Sequence, residues 1–213
     1  MTAEQTHEQA LKGLYAITDE NLIAEDAFEQ TIESALQGGA RIIQYRDKSG
    51  NEEKRLQQAS ALRSLCDRYN AVLIINDDIA LALRVKADGV HLGKNDDSIS
   101  QARQILGDKT IIGISCYNDI NLAITAENNS ADYVAFGAMF SSSTKPDAKN
   151  ADLDIISEAK QKLNIPVCTI GGITEKNIKQ LIDHGTDMAA IINHLFSADD
   201  IKLTATRLNQ SFK

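Results

Sequence analysis

The sequence predicts one (β/α)8 TIM barrel spanning residues 1–213 as a single domain, and three observations carry that expectation. Short apolar runs recur about eight times, each followed by a segment of helical period, and no linker or composition shift divides the chain. Nearly continuous apolar runs mark strands buried on both faces, as parallel sheets require. About eight βα units in this length suit a closed barrel, whereas an open doubly wound sheet usually has fewer strands and a Gly-rich turn after the first. Here the first strand ends in Thr18 and Asp19 instead.

Residues 1–12 are expected to be an N-terminal extension or helix, and strand one covers 14–17. Phe28, Ile32, Ala35 and Leu36 then recur at helical spacing, and Gly38 with Gly39 closes that helix. Strand two covers 42–45 and is followed by the periodic set Leu56, Ala59, Leu62, Cys66 and Tyr69. After strand three, at 72–75, Asp77 or Asp78 can cap a helix over 79–84; after strand four, at 90–92, Asp97 can cap one from Ser98. Strand five covers 111–114 and ends at Ser115; strand six covers 133–136. The polar stretch 141–150, with Pro146 as its only rigid point, reads as a mobile loop over the site. Strand seven covers 167–170, Thr174 and Asn177 open the next helix, Gly185 closes it, and strand eight covers 188–192.

Lys and Arg number 22 against 30 Asp and Glu, a formal net charge of -8. Such a chain repels phosphate backbones and has no polybasic membrane face, so neither nucleic acid nor membrane is an expected partner. An anionic small molecule remains open, because a few cations converging in one cleft outweigh a diffuse acidic surface. Cys66, Cys116 and Cys168 are odd in number and lack paired spacing, which indicates neither a disulfide framework nor a zinc site. The N-terminus lacks a basic start followed by an apolar run, and no stretch of about 18 apolar residues occurs, so a cytoplasmic protein is expected. Assembly into a homo-oligomer is left open.

Barrel catalysis uses residues just past the C-terminal ends of the strands. After strand two come Gln44, Tyr45, Arg46, Asp47 and Lys48, whose alternation turns Gln44, Arg46 and Lys48 to one side and Tyr45 to the other. The alternative is a solvated loop with a surface ion pair. Strand three ends in Asn76, Asp77 and Asp78, and strand four leads into Lys94, Asp96 and Asp97. Asp77 with Asp96 is the best carboxylate pair for Mg²⁺, which takes one or two carboxylates while phosphates and water complete its shell. Capping explains Asp78 and Asp97 about as well as metal binding explains Asp77 and Asp96. His91 lies in an apolar strand, where a lone histidine is more often a hydrogen-bonded core residue than a catalyst. His7, His184 and His194 have no partner spacing. Ser142, Ser143, Thr144 and Lys145 offer anion donors after strand six. Gly171 and Gly172 bring bare backbone to a helix start, a phosphate cradle when joined by the loop after strand eight, or simply a tight turn.

These motifs resemble the thiamine phosphate synthase family along the whole chain. The specific matches are LYAITD from Leu14, QYRDK from Gln44, IND from Ile75, ADGVHLG from Ala87, GIS ending at Ser115, Thr144 with Lys145, IGGI from Ile170 and AAIIN from Ala189. The resemblance implies a Mg²⁺-dependent dissociative substitution. A pyrimidine diphosphate ester loses pyrophosphate, and the nitrogen of a thiazole phosphate captures the pyrimidine methyl cation. By the same resemblance Arg46, Lys48 and Lys145 would hold pyrophosphate, and Asp77 and Asp96 would bind Mg²⁺. Gln44 and Asn76 would contact the pyrimidine and Ser115 its diphosphate. Ser142, Thr144, Gly171 or Gly172, and the backbone near Ile192 and Asn193 would hold the thiazole phosphate, with Tyr45, Asp47 and Ser143 counted in the substrate-binding set. Lys94, Tyr117, Ser141 and Asn193 depart from the family's usual glutamine, histidine, proline and serine. Two rivals remain: a thiazole tautomerase paralogue, against which Arg46, Lys48, Asp77, Asp96 and Lys145 argue, and a non-catalytic barrel that binds a phosphorylated ligand. A Schiff-base aldolase fits less well, since Lys48 and Lys145 lie in polar loops.

Overall fold

Apolar runs too short for helices and bounded by turn residues form eight strands: Gly13–Ile17 (β1), Ile42–Tyr45 (β2), Val72–Asn76 (β3), Gly89–Leu92 (β4), Ile111–Tyr117 (β5), Tyr133–Phe136 (β6), Val167–Ile170 (β7) and Met188–Ile191 (β8). The computed structural model describes residues 11–93, 99–141 and 151–213. Each strand pairs in parallel with the next, and β8 closes on β1 through the register Gly13↔Met188 to Ala16↔Ile191. The expected (β/α)8 barrel is therefore the fold.

The described helices are Phe28–Gln37 (α1), Glu52–Tyr69 (α2), Ile79–Val85 (α3), Ile99–Leu106 (α4), Ile120–Asn128 (α5), Asp154–Lys162 (α6), Ile178–Asp183 (α7), Asn193–Phe196 (α8) and Ile201–Gln210 (α9). Alternation along each strand divides the core into two layers. Leu14, Ala16, Ile43 and Leu73 face the helices, while Tyr15, Ile42, Ile74, Ile111, Tyr133, Cys168 and Met188 fill the barrel interior. Leu11 is buried in that inner cluster. Leu11 and Lys12 are non-helical, so the end of the expected N-terminal extension is part of the barrel core.

A repeated device ties the N-terminal ends of the strands together. Asp88, just before β4, accepts from the Leu73 N–H at 2.7 Å and from Arg63 of α2 at 2.7 Å. Asp132, before β6, does the same with Ile112 at 2.7 Å and Arg103 of α4 at 2.6 Å. Asp187, before β8, takes Val167 at 2.8 Å and Lys160 of α6 at 2.7 Å. Each carboxylate thus joins the start of its own strand to the strand before it and to the helix that leads into that earlier strand. This end of the barrel serves stability and leaves the opposite end for chemistry.

Two local expectations change, and one open alternative is settled. β5 runs past Ser115 to Tyr117, because a register shift against β6 between those residues lets the strand resume. The helix expected to open at Thr174 and Asn177 starts at Ile178. Asn177 instead clamps the turn, accepting from the Thr174 N–H at 2.7 Å and donating to the Gly172 carbonyl at 2.9 Å. Asp78 is the cap of α3, accepting from the Leu81 N–H at 2.8 Å. The proposed Asp97 cap and the 142–150 part of the polar loop lie outside the described residues.

Candidate active site

Inward-facing polar groups of five strands meet inside the barrel, from Tyr133 at the start of β6 to Gln44 near the C-terminal end of β2. Gln44, on β2, donates from Nε2 to the Tyr15 hydroxyl at 2.6 Å. That hydroxyl lies 2.9 Å from the Tyr133 hydroxyl, which lies 2.9 Å from Nδ1 of His91. Nε2 of His91 reaches Ser115 Oγ at 2.9 Å. One hydrogen-bonded chain therefore crosses the barrel from β2 through β1, β6 and β4 to β5. Every member except Ser115 is buried. Burial pushes the pKa of His91 down to about 4, against the raising influence of Asp77, so the ring is neutral near pH 7.

Around this chain sit the cations of the mouth. Thr18, at the end of β1, bonds both backbone groups of Arg46, accepting from its N–H at 2.8 Å and donating to its carbonyl at 2.9 Å. The Arg46 guanidinium lies 3.4 Å from Asp19 and 3.9 Å from Glu20. Lys48 pairs with Asp77 Oδ2 at 2.5 Å, and the Asn76 amide donates to the same oxygen at 2.6 Å. Asp77 itself has a φ of 62°, a left-handed conformation that aspartate tolerates better than most residues. Its N–H is held by the His91 carbonyl at 2.9 Å. Partly exposed ion pairs of this kind are worth about 0–1 kcal/mol, so an incoming anion of higher charge can take both cations from their carboxylates.

Tyr45 and Asp47 belong to the same QYRDK run but their polar atoms are held elsewhere. The Tyr45 hydroxyl donates to Gln58 of α2 at 3.0 Å. Asp47 accepts from the Ser49 N–H at 2.8 Å and pairs with Lys54 of α2 at 2.9 Å. Both side chains thus fix the β2–α2 connection that carries Arg46 and Lys48.

On the other side of the mouth, the β6 and β7 loops run in backbone contact. The Phe140 N–H donates to the Gly171 carbonyl at 3.0 Å, and Gly171 and Gly172 have φ values of 110° and 62°. A Cβ on Gly172 would lie 2.5 Å from the Ser141 carbonyl oxygen and 2.7 Å from that of Phe140. Glycine is therefore required here by loop packing, before any ligand is considered. Ile192 and Asn193 open α8 after the neighbouring strand β8. His194 bonds the carboxylate of Glu175 through Nε2, joining the loops after β7 and β8. Burial raises the Glu175 pKa, but its own backbone N–H and His194 outweigh that and hold it below the usual range. The sequence gives His194 no partner because the two residues are 19 positions apart. The strand-end rule could have found both, as it could have found Thr18, Asp19 and Glu20. Asp96, Ser142, Ser143, Thr144 and Lys145, with Lys94, lie outside the described residues.

A family model described as thiamine monophosphate synthase matches residues 14–195. The chain belongs to that family. Thiamine-phosphate synthase of Nitrosococcus oceani is 49% identical over 203 residues, covering 95% of this chain and 94% of that protein. Its counterpart from Thioalkalivibrio sulfidiphilus is 46% identical over 205 residues, covering 96% and 97%. Among solved structures, thiamine phosphate pyrophosphorylase from Pyrococcus furiosus matches with a TM-score of 0.87 and 33% identity over 97% of both chains. No helix among the described residues is long and apolar enough to cross a membrane.

The family resemblance implies Mg²⁺, and the donor set can be tested against it. No group of three or more His, Cys, Asp or Glu side chains able to hold a metal occurs among the described residues. Mg²⁺ rarely uses such a cage; it takes one or two carboxylates together with substrate phosphates. Asp77 supplies a hard oxygen donor whose present partners, Lys48 and Asn76, are a cation and an amide. It therefore fits as one side of a partial site in this thiamine monophosphate synthase family member.

Proposed function

We propose that this transferase, of the thiamine-phosphate synthase type, couples a pyrimidine diphosphate ester with a thiazole phosphate to give thiamine phosphate and pyrophosphate. The observation that carries the reading is the paired charge of the mouth: Arg46 and Lys48 at one strand end, each resting on a carboxylate of a neighbouring strand end. Binding of the diphosphate draws Lys48 from Asp77 and Arg46 from Asp19 and Glu20. The bond between the pyrimidine methylene carbon and the diphosphate oxygen then breaks, with its electron pair leaving on pyrophosphate. Arg46, Lys48 and Lys145 neutralise the charge that grows there. The thiazole nitrogen donates its lone pair to the pyrimidine methylene cation and closes the new C–N bond. Asp77 and Asp96 would hold Mg²⁺, which when bound adds further neutralisation of the leaving group.

A nucleophilic side chain has little support by comparison. Ser115 touches His91, as in a serine–histidine pair, but that ring resists protonation to about pH 4 and its Nδ1 meets a tyrosine rather than a carboxylate. Cys66 and Cys116 are buried, with thiols pushed up to about 12 by desolvation. Gln44, Asn76 and Ser115 serve as contacts to the pyrimidine end. Gly171, Gly172, Ile192 and Asn193, with Ser142 and Thr144, serve the thiazole phosphate.

The test is product analysis with both substrates and Mg²⁺, with and without a chelator. Equal amounts of thiamine phosphate and pyrophosphate, lost with the chelator, are expected. A thiazole isomer formed without diphosphate consumption would mark a tautomerase. Tight substrate binding without any product would mark a non-catalytic barrel.

A further inference from the structure

The hydrogen-bonded chain inside the barrel has a direction, and the direction follows from counting protons. Gln44 donates to the Tyr15 oxygen. The proton of Tyr15 has one described acceptor, the Tyr133 oxygen, and a buried hydroxyl proton left without an acceptor is costly. Tyr133 has then filled its oxygen from Tyr15 and must give its own proton to His91 Nδ1. A neutral imidazole that accepts at Nδ1 carries its proton on Nε2. His91 therefore donates to Ser115 Oγ, and the serine proton is left to point out of the chain. At the other end Gln44 spends one N–H inward, which leaves its carbonyl oxygen and its second N–H outside the chain.

We propose that Tyr15, Tyr133 and His91 are positioning residues that hold Ser115 as a hydrogen-bond donor toward the diphosphate and Gln44 as an acceptor toward an amino group on the pyrimidine. The inference rests on the reading of Gln44 and Ser115 as substrate contacts, and deepens it. The two ends match the two ends of such a substrate: anionic oxygens need donors, and an aromatic amine needs an acceptor. Reversing every bond would aim a serine lone pair at an anion and an amide N–H at an amine. Neutral tyrosines keep the direction fixed, since burial pushes the Tyr15 and Tyr133 hydroxyls well above their usual range.

Nitrogen NMR of His91 in the substrate-free chain near neutral pH tests the direction without any reaction. Wild type should show the Nε2–H tautomer, and Tyr133→Phe should lose that preference because Nδ1 no longer receives a proton donor. An Nδ1–H tautomer in wild type would overturn the proposal. A kinetic cycle tests positioning. Tyr133→Phe should lower kcat about tenfold, the size of one neutral hydrogen bond, leave the KM for thiazole phosphate unchanged, and cause no further loss when added to Ser115→Ala. Independent, multiplying losses would show a merely structural role and overturn it. Should Tyr133→Phe fold poorly, Tyr15→Phe paired with Gln44→Ala gives the same cycle at the other end. Ser115→Ala turning over at the wild-type rate would remove the substrate contact itself, and that failure is distinct from a wrong tautomer.

Discussion

Asp77 and Asp78 are adjacent carboxylates with different work, and the difference is measurable. Asp78 accepts from the Leu81 N–H and from Arg55 at 2.7 Å, so it holds α3 in place. Asp77 turns to the mouth and meets Lys48. Asp77→Asn should raise the Mg²⁺ concentration for half-maximal rate with little change in melting temperature. Asp78→Asn should cost about 1 kcal/mol of stability, as lost caps do, and leave the Mg²⁺ requirement alone; titrations and melts of both variants decide. Gly172 is a second informative position, because the contact of its missing Cβ with the loop carbonyls of Phe140 and Ser141 predicts a loop defect as well as a ligand defect. Gly172→Val should lower thermal stability and raise the KM for thiazole phosphate more than that for the pyrimidine diphosphate. Asn193→Ser changes a side chain where backbone matters more and should be nearly silent. Arg46, Lys48, Asn76 and Asp77 were legible because each follows an apolar run by one to three positions, and Gln44 because it is the polar residue inside such a run. The His91–Tyr133 and Tyr15–Tyr133 contacts were not, since they join residues 42 and 118 positions apart that meet only when the barrel closes.

Connections between elements decide how firmly those residues are aimed. Asp47 and Lys54 form a pair that is nearly enclosed, with side-chain exposures of 2% and 17%. Burial alone would raise the Asp47 pKa, but the Ser49 and Lys54 interactions prevail and hold it below the ordinary carboxylate value. A lowered folded-state pKa means that the stabilisation is complete above the unfolded pKa of about 4 and fades as pH falls through the folded one. Lys54→Met should therefore cost roughly 3 kcal/mol at pH 7 by stranding a buried carboxylate. Its deficit should narrow in denaturant titrations run at progressively lower pH below 4; an unchanged gap there would contradict the pairing. At the far end of the strands, Asp132→Ala removes an acceptor shared by the Ile112 N–H and Arg103. The loss should be about 2 kcal/mol, read as a lower unfolding midpoint with kcat preserved. The helix periods and most strand cores were readable from the sequence, whereas the continuation of β5 to Tyr117 was not. A register shift depends on the neighbouring strand β6, which the local pattern of 111–114 does not contain.

The division of labour between the two ends of the barrel joins these parts into one account. Strand N-termini are tied by Asp88, Asp132 and Asp187, while strand C-termini hold unlike charges close together in partly exposed pairs. The first end resists change; under the proposed function the second exchanges partners when a diphosphate arrives. The closed architecture was legible because parallel strands buried on both faces leave a nearly continuous apolar signature that repeats eight times. Under the proposed function, turnover comes from neutralising the departing pyrophosphate. Its most direct measurement is the single-turnover rate of pyrophosphate release by wild type and Arg46→Ala, with saturating Mg²⁺ and both substrates. A fall of about 10²–10³-fold, the usual loss for one preorganised charge donor, with an unchanged melting temperature, is the expected result. Release by folded Arg46→Ala at the wild-type rate would contradict it.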